Sequence, residues 1–300
     1  MNNKMDKMLK CKKIFEAIMD EKCLEIKELK GGVTNHSYLI KSASHCYILR
    51  IPGNGTNEYI NRKYEIENMK KTQKLGFIPH IFYCDSGSGI LILNYIHNNE
   101  PMCIADIHNK AKLNLMTERL VQLHQSSIKL ANEFNIMDSK KQYRNILDKM
   151  KVPLPCEFLN QVPRLENMTN YLFTKYSQNL VPCHGDPKLN NFLLQDDKMW
   201  LIDWEYSGMA EKYFDLVNMT STDELNPSEE QLILSSYERN SGEYLDKRKY
   251  ILYKIVIDYM WIYWHLIKFF QNEMPEYNNM RWQHRLNRIF ANIKILEKIN

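Results

Sequence analysis

Asp186 and Asn191 stand five residues apart in Cys183-His184-Gly185-Asp186-Pro187-Lys188-Leu189-Asn190-Asn191, and Asp203 follows twelve residues later. Asp203 lies in Trp200-Leu201-Ile202-Asp203-Trp204-Glu205-Tyr206, at the end of a strand-like run. Phosphoryl transfer needs a carboxylate that orients and deprotonates an attacking hydroxyl, and oxygen ligands that hold Mg²⁺ across nucleotide phosphates. Asp186 would supply the first, and Asn191 and Asp203 the second. Singly, each has a plainer role: Asp186 can cap the turn before Pro187, Asn191 can make a local turn bond and Asp203 can end a hairpin. The full set at this spacing points to the chemistry.

A second group could cover phosphates. Gly31-Gly32-Val33-Thr34-Asn35 falls between two strand-like runs. Gly32 would let the backbone approach an anion, and Thr34 or Asn35 can donate hydrogen bonds. The hairpin that follows ends in Tyr47-Ile48-Leu49-Arg50-Ile51-Pro52, which supplies a cation. Glu65, in Arg62-Lys63-Tyr64-Glu65, is the helix carboxylate expected to pair with Arg50, with Glu67 as its competitor. A third group is aromatic. Trp261 and Trp264 share one helical face with Asp258 one turn earlier, and Tyr277 and Trp282 follow beyond Pro275. An ordinary buried helix would carry such rings too, and one ring can serve core and site together.

The elements that must position these groups follow from periodicity and turn signals. Helical spacing over Lys10 to Met19 precedes a strand-like run to Leu29, and the runs 37–41 and 46–51 read as a hairpin. A helix over 59–75 stops at Gly76, and short strands follow at 81–84 and 90–93. After about residue 96 the pattern is mainly helical, with helices expected at 109–131, 139–150, 165–178, 227–240, 246–270 and 279–298. The exception is 181–205, which reads as paired strands. The class is α+β: a small β-rich lobe with one inserted helix (1–95, hinge about 94–99), then a larger helical lobe (100–300), with a ligand cleft expected between them.

Composition excludes several alternatives. An apolar fraction of 44% with 25% charged residues describes neither a disordered nor a collagenous chain. The net charge of +4 is interspersed, so no nucleic-acid partner is expected. Seven scattered cysteines without a C-x-x-C pair read as reduced thiols. The first ten residues have no apolar stretch of the kind a signal peptide carries, and Lys254, Asp258, His265 and Lys268 interrupt the longest greasy run. A cytoplasmic chain without a membrane span is expected.

From about residue 29 to 290 the chain resembles the protein-kinase-like small-molecule phosphotransferases, which include aminoglycoside phosphotransferases and choline/ethanolamine kinases. The H-G-D loop marks that superfamily. Ile202-Asp203-Trp204-Glu205-Tyr206-Ser207 with Phe214-Asp215-Leu216 resembles the choline kinase branch more narrowly. The resemblance implies a two-lobed protein-kinase-like fold, with Asp186 as catalytic base, Asn191 and Asp203 as Mg²⁺ ligands and Glu205 as a second metal contact. It puts Arg50 in the place of the fold's nucleotide-gripping lysine, and the backbone of 90–96, Asn94 and Ile96 included, against adenine. Asp215 and His184 would brace the catalytic loop, and His124 would be an interior or capping residue of a helix. Lys188 would either touch the γ-phosphate or be an ordinary solvated lysine. Trp261, Trp264 and Trp282, with Tyr206 and Tyr277, would box a quaternary ammonium through cation–π attraction. Eukaryotic members carry a glutamate where this chain has Thr222, so Asp186, Asp223, Glu224 and Asp258 compete as the acid facing the ammonium. ATP and Mg²⁺ are the implied cofactors and choline the implied acceptor, giving phosphocholine. Ethanolamine, an aminoglycoside or another small alcohol is the alternative acceptor, and an inactive kinase-like binding module is the remote alternative.

Overall fold

The computed structural model describes residues 2–29, 34–53, 55–221 and 225–299. In chain order, the first elements are α1 (Asn2–Met19), β1 (Glu25–Leu29), β2 (Asn35–Lys41), β3 (Cys46–Pro52) and α2 (Arg62–Thr72). β4 (Ile81–Cys84), β5 (Leu91–Asn94), β6 (Glu100–Pro101), α3 (Lys110–His124), α4 (Ile136–Met150), α5 (Cys156–Leu159) and α6 (Val162–Lys175) follow. The last are β7 (Leu180–Cys183), β8 (Phe192–Gln195), β9 (Lys198–Leu201), β10 (Gly208–Glu211), α7 (Lys212–Ser221), α8 (Pro227–Ser241), α9 (Lys247–Phe270) and α10 (Pro275–Lys298). They form two compact units, Met1–Met102 with Asn190–Ser207, and Cys103–Leu189 with Gly208–Asn300.

The first unit is built on an antiparallel sheet in the order β1-β2-β3-β5-β4. The β-branched and aromatic residues of its central strands alternate between faces, and Tyr38, Ile40, Tyr47, Leu49 and Ile92 are buried with Cys11 and Phe15 of α1. Asn61 starts α2 by accepting hydrogen bonds from the Lys63 and Tyr64 amides. The helix tightens into a 3₁₀ turn and ends where Gly76 takes the left-handed conformation, φ 77°. A second sheet in the order β6-β8-β9 completes the unit and carries the segment 190–207.

The second unit is helical around α9. Its residues from Lys249 to Lys268 are all buried, and α4, α6, α7 and α10 pack against it. A helix apolar on every side must be covered on every side. The four polar residues that break its apolar run are each partnered. Lys254 pairs with Glu230 at 2.6 Å, Asp258 with Arg285 at 2.7 Å, His265 with Asn278 at 2.8 Å and Lys268 with Glu273 at 2.8 Å. Desolvated polar groups demand such partners, so the interruptions mark interior polar pairs. Among the described residues no helix is long and apolar enough to cross a membrane.

Several elements differ from the sequence expectation: α5, β6 and β10 are additional, and the helix expected over 109–131 ends at His124. Strand β7 does not pair with the β8–β9 hairpin; its partner is β10, in the register Cys183↔Gly208. Helix α7 is absent from the expected elements: its residues from Tyr213 to Ser221 are all buried, and its polar residues Asp215 and Asn218 turn to interior partners instead of forming a solvent-facing side.

Candidate active site

In the first unit, Arg50 sits at the middle of the sheet, opposite Ser37 on β2 and Leu91 on β5. The first turn of α2 brings Arg62 and Glu65 to one face, since residues three apart on a helix are neighbours. Glu65 accepts from Arg50 through Oε1 and from Arg62 at 2.8 Å through Oε2. Glu67, the competitor, instead pairs with Lys71. Arg62 continues to Asn35 Oδ1 at 3.0 Å and to Glu205 at 3.4 Å. Glu205 also accepts from Thr34 Oγ1 at 2.5 Å and from Asn35 Nδ2 at 2.7 Å. Asp203 lies 3.4 Å from Arg50.

Two guanidinium groups thus face three carboxylates, and the imbalance appears in the titration of Glu205. Burial, then the negative charges of Asp203 and Glu65, push its carboxyl up to about 7. Burial would lower the Arg50 guanidinium, but Glu65, Asp203 and Glu205 together hold it above its ordinary value. The unmatched negative charge suits a further cation.

The β8–β9 hairpin sets Asp203 beside that charge and carries Asn191 immediately before its first strand. β8 pairs with β9 in the register Phe192↔Leu201, and the Asn191 carbonyl accepts the Ile202 amide at 3.0 Å. Asn191 and Asp203 therefore flank one end of the hairpin. Asp203 adopts φ 69°, a left-handed conformation costly for a residue with a Cβ, and its side chain is 28% exposed. A hard divalent cation such as Mg²⁺ seeks such oxygen ligands, and the donor set fits it. The Glu205 oxygens accept from Thr34 at Oε1 and from Asn35 and Arg62 at Oε2.

Gly32 lies outside the described residues. The Thr34 and Asn35 side chains turn to Glu205. On the expected adenine strand, the Asn94 amide donates to the His80 carbonyl at 2.8 Å, and the Ile96 carbonyl accepts from the Asn99 side chain. Tyr206 is buried in this same unit.

In the second unit, the loop after β7 carries Asp186. Asp215, on α7, accepts the His184 and Gly185 amides, each at 2.7 Å. Gly185 takes φ 89°, a backbone state that glycine enters without a Cβ penalty. His184 Nδ1 accepts the Asp186 amide at 3.3 Å, and Lys188 Nζ lies 2.8 Å from Asp186 Oδ2. Behind them, His124 bridges Asp215 at 3.1 Å and the Tyr237 hydroxyl at 2.8 Å. His124, Cys183 and Asp215 lie close enough to suggest a metal cluster. Asp215 holds both loop amides and His124, which in turn reaches Tyr237, so the group forms a hydrogen-bonded brace behind the loop.

The aromatic residues gather on α9 and α10. The Trp261 and Trp264 rings meet edge to face at 5.9 Å, and Trp261 donates its indole N–H to Asn218 at 2.8 Å. Tyr277 is 38% exposed and meets His265 at 6.3 Å, while the buried Trp282 donates to Asn279 at 3.0 Å. Lys268 Nζ lies 5.8 Å from the Trp264 ring and Arg281 5.8 Å from that of Tyr277. Asp258 cannot be the acid that faces an ammonium. It is fully buried, and Arg285 and Arg288 occupy both of its oxygens. Burial would raise its carboxyl, but Arg288 and then Arg285 hold it below the ordinary carboxylate range. Thr222, Asp223 and Glu224 lie outside the described residues.

Sequence reasoning assigns no role to Arg62, Asn218 or Tyr237. Arg62 was findable, standing three residues before Glu65; Asn218 likewise stands three after Asp215. Tyr237 carries no such local signal.

Residues 26–231 match the family model for choline/ethanolamine kinase. The crystal structure of choline kinase LicA from Streptococcus pneumoniae is 26% identical, with a TM-score of 0.81 over 96% of this chain and 99% of that one. Protein LicA of Haemophilus influenzae is 24% identical over 277 residues, covering 89% of this chain and 100% of that protein. A spectinomycin phosphotransferase solved with ADP and spectinomycin shares the fold at 16% identity, with a TM-score of 0.66 over 95% of this chain and 98% of that one. The kinase-like fold expected from the H-G-D loop is the fold of these neighbours.

Proposed function

This chain belongs to the choline/ethanolamine kinase family and is a phosphotransferase acting on an alcohol; we propose that its acceptor is choline, phosphorylated by MgATP to phosphocholine. Asp186 accepts the proton of the choline hydroxyl, held in place by a loop whose amides Asp215 grips. Arg50, fixed by Glu65, steadies the nucleotide. Asn191 and Asp203 would hold Mg²⁺, whose charge offsets that of the β- and γ-phosphates. Trp261 and Trp264, with Trp282 and Tyr277 on the next helix, orient the trimethylammonium group. That group cannot donate hydrogen bonds, so ring faces suit it where carboxylates alone would not.

The observation that carries the choice of choline is the convergence of Trp261 and Trp264, edge to face on the buried stretch of α9. A wide acidic rim, which a polycationic aminoglycoside would need, is not built by these residues. The test is an ATP-consumption assay with choline, ethanolamine and kanamycin. The expected result is the highest kcat/KM with choline. Preference for ethanolamine would move the acceptor within the family. A folded protein that gains no thermal stability from MgATP would favour an inactive binding module.

A further inference from the structure

Helix α7 holds the catalytic loop through two residues, and the second also reaches the aromatic cluster. Asp215 and Asn218 stand three apart on one face of α7 and grip opposite ends of the same glycine. Asp215 takes the Gly185 amide at 2.7 Å, and Asn218 Nδ2 donates to the Gly185 carbonyl at 2.9 Å. On its other side, Asn218 Oδ1 accepts the Trp261 indole N–H at 2.8 Å. Asn218 is only 2% exposed. Its orientation is dictated by its partners: an indole N–H can only donate and a carbonyl can only accept, so a flipped amide would fail at both ends.

We propose that Asn218 is a positioning residue that ties the indole of Trp261 to the loop bearing Asp186, so that the acceptor's head and the base acting on its hydroxyl are set by one side chain. This rests on the proposed function, in which Trp261 faces the acceptor and Asp186 takes its proton. Only the Gly185 peptide separates the Asn218 amide from Asp186. The Trp261 ring is further fixed by Trp264 at 5.9 Å and by stacking with Tyr143 at 6.5 Å. A small misplacement of reacting groups costs far more in rate than in binding. Loss of the link should therefore fall on kcat, whereas a residue serving only the fold would lower thermal stability and leave the kinetics of the folded fraction alone.

The experiment is a double-mutant cycle at saturating MgATP, with choline and ethanolamine as acceptors and circular dichroism confirming the fold. Trp261→Phe keeps an aromatic face and removes the indole donor; it should lower kcat about tenfold, the value of one buried hydrogen bond, with a smaller change in acceptor KM. Asn218→Ala removes both bonds and should lower kcat further. The double variant should be no slower than Asn218→Ala alone, because the two singles break the same link. A double variant whose loss equals the product of the singles overturns the proposal. So does a folded Trp261→Phe protein with unchanged kcat, which decides the matter should Asn218→Ala fail to fold. Failure of the acceptor reading shows separately, as wild-type protein that consumes ATP with neither choline nor ethanolamine.

Discussion

The buried ion network of the first unit and the buried arginine network of the second use the same residue types to different ends. Around Arg50 and Arg62, three carboxylates face two cations, and burial with the neighbouring charges raises the Glu205 carboxyl to about 7. Around Asp258, two guanidiniums close on one carboxylate and depress it. The excess positive charge there falls on Arg285, whose guanidinium burial lowers to about 10 against the pull of Asp258. Three carboxylates against two guanidiniums, with Asp203 partly exposed, would suit a further cation. A carboxylate sealed by arginines marks a joint between helices, here between α9 and α10.

The comparison breaks most sharply at the loop and hairpin carboxylates. Asp186→Ala and Asp203→Ala should each cut kcat by about 10³-fold or more while leaving the far-ultraviolet circular dichroism spectrum intact, given what a general base or metal ligand contributes. Retained turnover in either variant would contradict the assignment. Next in size is the joint. Asp258→Ala leaves Arg285 and Arg288 buried without their carboxylate and should cost about 3–5 kcal/mol in denaturant unfolding. Glu65→Gln, in the first network, should cost less stability because Glu205 and Asp203 still face the guanidiniums, and should instead raise the KM for ATP. Equal destabilisation of the two variants would erase the distinction between the networks. Trp264→Ala should raise the choline KM about tenfold with little change in the KM for ATP, on the strength of one or two cation–π contacts.

The smallest effect concerns His265, which lies beside Trp264. Burial, then the charge of Arg285, holds its imidazole well below the ordinary value of 6.5. As pH falls below about 6.5 the unfolded chain takes up a proton that the folded chain refuses, so stability decreases toward acid by up to about 1.4 kcal/mol per pH unit. Above that range this residue contributes no slope. His265→Gln should flatten this part of the profile in chemical denaturation followed from pH 5 to 8. An unchanged slope would mean that another group carries it.

Much of the architecture is legible in the amino-acid sequence alone. The hairpin around Ser42, the stop at Gly76 and the long helix near 247–270 follow from local spacing, because short-range periodicity and glycine act within a few residues. The pairing of Glu65 with Arg50 is anticipated too, but its competitor Glu67 is turned aside to Lys71 only by the fold. The β7–β10 pair is not, because strands separated by the whole β8–β9 hairpin leave no local trace of their register. Nor is α7, whose polar residues Asp215 and Asn218 face the interior and leave no solvent-facing side by which such a helix is recognised. Asp258 reads in sequence as an acid beside tryptophans; only the fold brings Arg285 and Arg288, 27 and 30 positions later, onto it. The same limit hides Asn218, whose two partners lie 33 residues before it and 43 after.

The acceptor is the central claim, and product identification tests it most directly. The purified protein is incubated with MgATP and choline, and the products are read by phosphorus NMR. A phosphomonoester resonance of phosphocholine growing in step with ADP is the predicted result. ADP formed at the same rate with and without choline, and no phosphocholine, would contradict it.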